Sequence, residues 1–201
     1  MIEDLDRYYQ VPPPPTGRPW VIVSMITSVD GATAVGGRSG GLGNEVDKAI
    51  FRLARAAADV ILVAAGTVRA ETYRPVLPPR RLAIVTRSEP GSVDLGPAGG
   101  LLDAPTTTLV TPTRHGQDVD LAAALARWPA RTVLCEGGPS LNGALLGAGL
   151  VDEVFLTLSP RLIGGDSPRL ANAGAEADPA AWELRHLLTE DGFVFLRYRR
   201  R

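Results

Sequence analysis

The chain has 201 residues, enough for one domain with a sizeable buried core or at most two small ones. A hydrophobic share of 45% and a charged share of 21% are ordinary for a globular protein. The formal net charge of −1 provides no basic field for nucleic acid or for an anionic membrane surface. We therefore expect neither as a partner.

Cysteine and histidine usage argues against a disulfide or a metal site. The single cysteine, Cys135, ends an apolar run and is expected to be a small core residue in a reducing compartment. His115 and His186 share no metal-ligand spacing with it, so no metal is expected. No apolar run reaches the roughly 18 residues of a membrane span, and the acidic start does not resemble a signal peptide. A cytoplasmic location is expected.

The predicted elements alternate between strands and helices along the chain. Residues 1–18, with prolines at 12–15, are predicted to form an extended leader, and residues 19–201 a single domain. Strands are predicted at residues 20–25, 59–64 (running into Gly66), 82–86, 106–110, 131–135 and 154–158. A glycine-rich segment at residues 35–43 is predicted to be a mobile loop. A helix capped by Asn44 follows it, with an apolar stripe of Val46, Ile50, Leu53 and Ala57.

Further helices are predicted at residues 121–128 and 139–147, and a hairpin closes the chain. Its strands are expected at residues 183–190 and 193–198 around Asp191-Gly192, a dipeptide typical of tight hairpin turns. This order predicts an α/β fold with a central, mostly parallel sheet, helices on both faces and an antiparallel C-terminal hairpin.

Two glycine-containing turns are candidates for binding a phosphorylated cofactor. In Cys135-Glu136-Gly137-Gly138-Pro139-Ser140, two glycines join a strand to a helix whose first residue is proline, so free backbone N–H groups can reach an anion. A plain tight turn is the alternative. A second turn at Gly66-Thr67 places a hydroxyl at the same edge of the sheet, where ligands bind in open α/β folds. Together the two turns favour a dinucleotide.

Six motifs in family order give the chain a resemblance to the pyrimidine reductase domain of the riboflavin-pathway deaminase-reductases. They lie at residues 18–21, 28–31, 64–68, 136–141, 149–153 and 160–165. The resemblance implies a dihydrofolate-reductase-like fold, NADPH as cofactor, a phosphorylated pyrimidine as substrate and pairing as a homodimer. The deaminase half has no counterpart, since neither H-x-E nor P-C-x-x-C occurs, so only the reduction is expected.

The resemblance also implies roles for individual residues. The cofactor-binding positions are Thr67, Glu71, Ser88, Gly137, Gly138, Pro139, Ser140 and Leu141, with the family's glycine turn and helix start matching residues 138–144. Ser39 and Arg55 match positions that hold the substrate phosphate, and Arg74 is a candidate for a second phosphate-binding arginine. Glu136 matches a glutamate that contacts substrate; a carboxylate can accept two adjacent N–H groups of an aminopyrimidine.

The chain departs from the family pattern mainly at the substrate positions. Gly41 stands where the family has tryptophan, Glu71 replaces an aspartate, and residues 73–76 replace the usual aspartate-proline-leucine-threonine. Without the resemblance, Arg55 is more simply a surface cation. These departures keep two alternatives open: a reductase of a pterin or dihydrofolate-like ring, and an NADPH-binding protein without turnover.

The expected reaction is hydride transfer to ribose C1′ of 5-amino-6-(5-phosphoribosylamino)uracil. The nicotinamide is expected at a cleft between the ends of the strands at residues 21–25 and 60–64. A proton is also needed. Asp30 and Glu136 are the acids expected near the cleft, and water is the alternative donor. Asp30, which precedes Gly31, is otherwise a turn residue.

Overall fold

A central mixed β-sheet organises the molecule in the computed structural model, which describes residues 4–113, 118–172 and 181–201. Within these residues the strands are β1 (Trp20–Ser28), β2 (Val60–Ala64), β3 (Arg81–Val85), β4 (Thr107–Val110), β5 (Thr132–Cys135), β6 (Glu153–Ser159), β7 (Trp182–Glu190) and β8 (Phe193–Arg200). Their order across the sheet is β4-β3-β2-β5-β1-β6-β8-β7. The first six in this order are parallel, and the last two pairings are antiparallel. The predicted fold class is confirmed.

The helices of the described chain cover both faces of this sheet. They are α1 (Leu5–Tyr8), α2 (Glu45–Ala57), α3 (Ala65–Ala70), α4 (Leu121–Ala126) and α5 (Pro139–Gly147). Side chains of α2 and α3 pack on one face with Ile22 and Ile61. Side chains of α4 and α5 pack on the other face with Val21 and Val60. Neighbouring strand residues are therefore buried on opposite faces, as in a parallel sheet covered on both sides.

Helix α2 begins at the predicted cap but buries a slightly different stripe. The Asn44 side chain accepts a hydrogen bond from the Asp47 N–H at 2.9 Å, which confirms the cap. The buried residues are Val46, Ile50 and Ala54, spaced four apart. The predicted stripe was wrong at its end, because Ala57 is exposed and Leu53 only half-buried.

Two tight turns each contain two residues with positive φ. Asp191 and Gly192 both have positive φ, 53° and 79°, as the predicted two-residue hairpin turn between β7 and β8 requires. Gly36 and Gly37 also have positive φ, between the bridged residues Val35 and Arg38. The glycine-rich segment thus begins with a tight turn and continues as a single 3₁₀ turn, Ser39–Gly41.

The N-terminal segment is anchored to the sheet and is not wholly extended. Residues Leu5–Tyr8 form α1. Tyr9 is buried and its ring meets Phe155 edge to face. The Arg197 guanidinium donates to the carbonyl oxygens of Tyr8 and Gln10 at 2.5 and 2.6 Å. Hydrogen bonds from Arg197 to backbone carbonyls and the buried Tyr9 ring hold this segment on the sheet. The proline run predicted only an extended leader.

Candidate functional site

A cleft of about 1180 Å³ opens where β1, β2, β3 and β5 end. It is lined from these strands by Met25, Ala64, Val85 and Glu136, and by the start of α5. β5 lies between β1 and β2. The cleft lies between the ends of β1 and β2, as expected, and Glu136, which follows β5, stands between them.

The turn from β5 to α5 requires both of its glycines. Gly137 has φ of 86°, and a Cβ there would lie 3.2 Å from the Met25 sulfur. A Cβ on Gly138 would lie 2.7 Å from the Thr67 hydroxyl oxygen, closer than side chains approach. The backbone of Gly138 therefore packs directly against the Thr67 side chain, and both residues line the cleft.

The start of α5 provides backbone donors to the cleft. Pro139 is its first residue, and the N-cap residue Gly138 contributes no side-chain cap. The first N–H groups of a helix have no partner within the helix, and together with the helix dipole they favour an anion. Gly138, Pro139, Ser140 and Leu141 all line the cleft. A nine-residue helix with this open start fits a phosphate of a dinucleotide cofactor.

The second predicted glycine turn is instead the start of a helix. Gly66 lies in the first turn of α3, which begins at Ala65 directly after β2. The change from strand to helix takes place at Ala64, whose backbone is extended. Thr67 still reaches the cleft, as do Glu71 and, from the segment after β3, Ser88. The predicted cofactor positions thus line one continuous wall, apart from Gly137, which packs against Met25.

Glu136 is the most buried carboxylate that lines the cleft, and it already has protein partners. Its side chain is 2% exposed. Arg55 Nε and Nη2 donate to its two oxygens at 2.6 and 2.7 Å. The Tyr73 hydroxyl donates to Oε2 at 2.6 Å. These bonds correct the expectation that Glu136 binds an aminopyrimidine edge through both oxygens, because Arg55 takes that bidentate geometry.

The predicted phosphate-binding residues are not brought together. Arg55 contacts Glu136 and does not line the cleft, and Arg74 is exposed on the segment after α3, also outside the lining. Ser39 does line it, and its backbone N–H donates to Glu71 Oε1 at 2.7 Å. Ser39, expected to hold the substrate phosphate, therefore already donates its backbone N–H to a carboxylate.

Asp30 is hydrogen-bonded to the loop after β6 and lies outside the cleft lining. Its carboxylate accepts hydrogen bonds from the Ser28 hydroxyl and from the backbone N–H groups of Ile163 and Gly164, the last at 2.7 Å. The Ser28 hydroxyl and the two amides lower the pKa of Asp30 to about 2. An exposed, fully hydrogen-bonded carboxylate of this kind corrects the expectation of a catalytic acid here.

Asp47 is a cleft residue that the sequence analysis did not single out. It lines the cleft from the first turn of α2, and burial raises its pKa, opposed by a hydrogen bond from the Thr157 hydroxyl. Asp47, Phe51 and Arg55 are spaced four residues apart and so share one face of α2. That spacing of an acid, an aromatic and a cation was the signal in the sequence.

Metal-ligand clusters and membrane-spanning helices are absent from the part of the chain that the structure describes. No group of three or more potential metal ligands occurs there, and no helix among these residues is long and apolar enough to cross a membrane. Cys135 is fully buried, as predicted, and burial raises the pKa of its thiol to about 12. His186 lies on β7, whereas His115 lies outside the described residues.

The sheet order, the two helical layers and the cleft define a protein of dihydrofolate-reductase-like fold. The solved dihydrofolate reductase of Enterococcus faecalis, complexed with NADP(H), superposes with a TM-score of 0.63 at 14% identity, over 90% of this chain and 96% of that one. A family model described as the RibD C-terminal domain matches residues 19–192. The chain belongs to this family.

Individual relatives agree with this assignment. The riboflavin biosynthesis protein RibD of Mycobacterium tuberculosis is 32% identical over 169 residues, 79% of this chain and 47% of the relative. The chain thus spans about half the length of that relative. RibD of Acinetobacter baumannii has a TM-score of 0.74 at 23% identity, over 92% of this chain and 59% of that one. A pyrimidine reductase-like protein of Corynebacterium diphtheriae has 0.72 at 24%, over 90% and 92%.

Proposed function

We propose that the chain reduces 5-amino-6-(5-phosphoribosylamino)uracil with NADPH, adding hydride to ribose C1′ of the opened imine. The observation that carries this proposal is one continuous cleft that joins the open start of α5 to the carboxyl groups of Glu136 and Asp47. One end offers backbone donors suited to a phosphate, and the other offers groups suited to a heterocycle. A cofactor bound at one end can therefore lie next to a substrate bound at the other.

The residues that would hold NADPH are Thr67, Ser88 and the start of α5 from Gly138 to Leu141. NADPH supplies the hydride when it is bound. Gly138 has no Cβ where it approaches Thr67, so no side chain at that residue fills this wall, which leaves room for a bulky ligand. Glu71, also a cofactor-binding candidate, accepts a hydrogen bond from the Ser39 N–H.

At the substrate end, Glu136 accepts an N–H of the ring, and Asp47 supplies the proton. Hydride addition to C1′ converts the C=N bond to a C–N single bond, and the nitrogen then takes one proton to become the amine. A half-buried carboxyl group with a raised pKa retains a proton closer to neutral pH than an exposed aspartate does. Asp47 therefore replaces Asp30 as the proposed acid.

One observation favours a second substrate class, an unphosphorylated ring of the pterin or dihydrofolate type. Arg55 is engaged by Glu136, and Arg74 lies outside the cleft lining, so neither cation expected to hold a substrate phosphate is offered to the cleft. On this alternative, Glu136 would contact the heterocycle in the same manner, and no phosphate ligand would be required.

The test is NADPH consumption, followed at 340 nm, with the pyrimidine nucleotide, its dephosphorylated form and dihydrofolate in parallel. We expect consumption with the pyrimidine nucleotide. Consumption with dihydrofolate alone would establish the second class. Calorimetric binding of NADPH without consumption of any substrate would indicate a non-catalytic binding protein. Pairing as a homodimer and a cytoplasmic location stay predictions; the exposed Leu184 and Leu187 on edge strand β7 are a plausible dimer contact.

A further inference from the structure

The side chains around Glu136 form a closed hydrogen-bonding cluster that no role in binding phosphate explains. Two donors of Arg55 and the hydroxyl of Tyr73 meet on one nearly buried carboxylate, each within 2.7 Å. The three residues come from α2, from the segment after α3 and from the turn after β5. Glu136 and Tyr73 line the cleft, whereas Arg55 stands behind them.

The Glu136 carboxylate retains one acceptor position for a ligand. A carboxylate has about four lone-pair positions, two on each oxygen. Oε2 receives both Arg55 Nη2 and the Tyr73 hydroxyl, and Oε1 receives only Arg55 Nε. Oε1 therefore retains one acceptor position, and Oε2 retains none. Glu136 can take a single N–H from a ligand in the cleft.

Aromatic contacts hold the guanidinium in this arrangement. The Arg55 Cζ lies 4.7 Å from the centre of the Phe51 ring and 5.7 Å from that of Tyr73. Such contacts stabilise a cation and limit its rotation. Turning Arg55 toward a phosphate would break both contacts and leave a buried carboxylate without its countercharge, which is costly.

We propose that Arg55 and Tyr73 are positioning residues that act through Glu136, and that the carboxylate they hold recognises one N–H of the heterocycle. This inference rests on the proposed function and assigns the specificity of its substrate end: the ring is read by Glu136, and Arg55 does not bind the phosphate. Burial, and then the charge of Glu136, raise the pKa of Tyr73, so its hydroxyl keeps the proton that it donates.

The experiment compares the phosphorylated pyrimidine nucleotide with its dephosphorylated form in Arg55→Lys and Tyr73→Phe. Lysine keeps the charge but cannot reproduce the bidentate geometry, and phenylalanine keeps the ring but removes the hydroxyl. We expect KM to rise about tenfold for both substrates alike in each variant, with kcat changed less than threefold, by analogy with the loss of a charge-assisted hydrogen bond. Arg52→Lys, on an exposed position of the same helix, is the matched control and should leave KM unchanged.

A double-mutant cycle supplies a readout that general loosening of the fold would not move. In a Glu136→Gln background, Arg55→Lys and Tyr73→Phe should have little further effect, because both act through the carboxylate. A penalty confined to the phosphorylated substrate, or effects that add fully to Glu136→Gln, would overturn the proposal. Melting temperatures show whether each variant is folded.

The same variants separate this inference from the proposed function. If the wild type binds the pyrimidine in calorimetry but consumes no NADPH, the proposed function fails, and the binding constants of the variants still decide the role of Arg55. A wild type that binds neither form of the pyrimidine would refute both.

Discussion

The two ends of the cleft are built in different ways. The cofactor end, formed by Thr67, Ser88 and residues 138–141, is mainly backbone: a glycine, a proline and the first turn of α5. The substrate end, formed by Asp47, Phe51, Tyr73 and Glu136, is side chains from three separate segments. The first depends on local conformation and the second on which segments meet. We therefore expect substitutions to affect cofactor affinity at one end and ring recognition or proton delivery at the other.

The largest expected effect belongs to the substrate end. Asp47→Asn should lower kcat about 100-fold or more, because positioned acids commonly contribute at least that factor. It should leave the dissociation constant of NADPH within about twofold. In the wild type, kcat should fall as pH rises through the raised pKa of Asp47, since only the protonated carboxyl can donate. In the variant this alkaline decline should disappear, as pH–rate profiles would show.

A variant whose kcat stays within a few-fold of the wild type at all pH values would remove Asp47 from the mechanism. Arg52→Gln, at an exposed position of the same helix and outside the cleft lining, is a suitable control.

The cofactor end is tested by Gly138→Val. The new Cβ would lie 2.7 Å from the Thr67 hydroxyl oxygen, so the Thr67 side chain or the turn must move. Overpacking that costs the NADPH-bound state about 1–3 kcal/mol corresponds to a rise of roughly 5- to 150-fold in the dissociation constant of NADPH, measured by calorimetry. Gly147→Val is the matched control, since nothing lies within 4 Å of a Cβ at that end of the same helix. Equal NADPH affinities in the two variants would contradict a cofactor site at this turn.

The smallest effect on turnover is expected at Asp30, which lies at neither end. Asp30→Asn should keep kcat within about twofold while lowering the melting temperature at neutral pH. The folded-state pKa of about 2 lies below the ordinary value of 3.8, so the carboxylate stabilises the fold above about pH 4. That contribution is lost as pH falls toward 2. Melting curves of variant and wild type should therefore converge in acid. A large loss of kcat would instead show that Asp30 takes part in the reaction.

The cofactor end of the cleft was predictable from the sequence, whereas the contacts at the substrate end were not. The open start of α5 was predictable because Gly137, Gly138 and Pro139 are adjacent in the chain, and their backbone preferences act locally. The partner of Arg55 was not, since Glu136 lies 81 residues away and meets it only after β5 has inserted between β1 and β2. Strand order is a property of the whole sheet and leaves no mark on any one segment.

The sequence by itself therefore determined the alternation of strands and helices, the C-terminal hairpin and the glycine turn before α5, because periodicity, capping and turn chemistry operate within a few residues. Only the tertiary structure decided that Arg55 and Tyr73 close on Glu136, that Asp47 faces the cleft, and that Asp30 binds the Ile163–Gly164 amides instead. Each of these depends on long-range packing, which fixes the distance between side chains that the chain order leaves far apart.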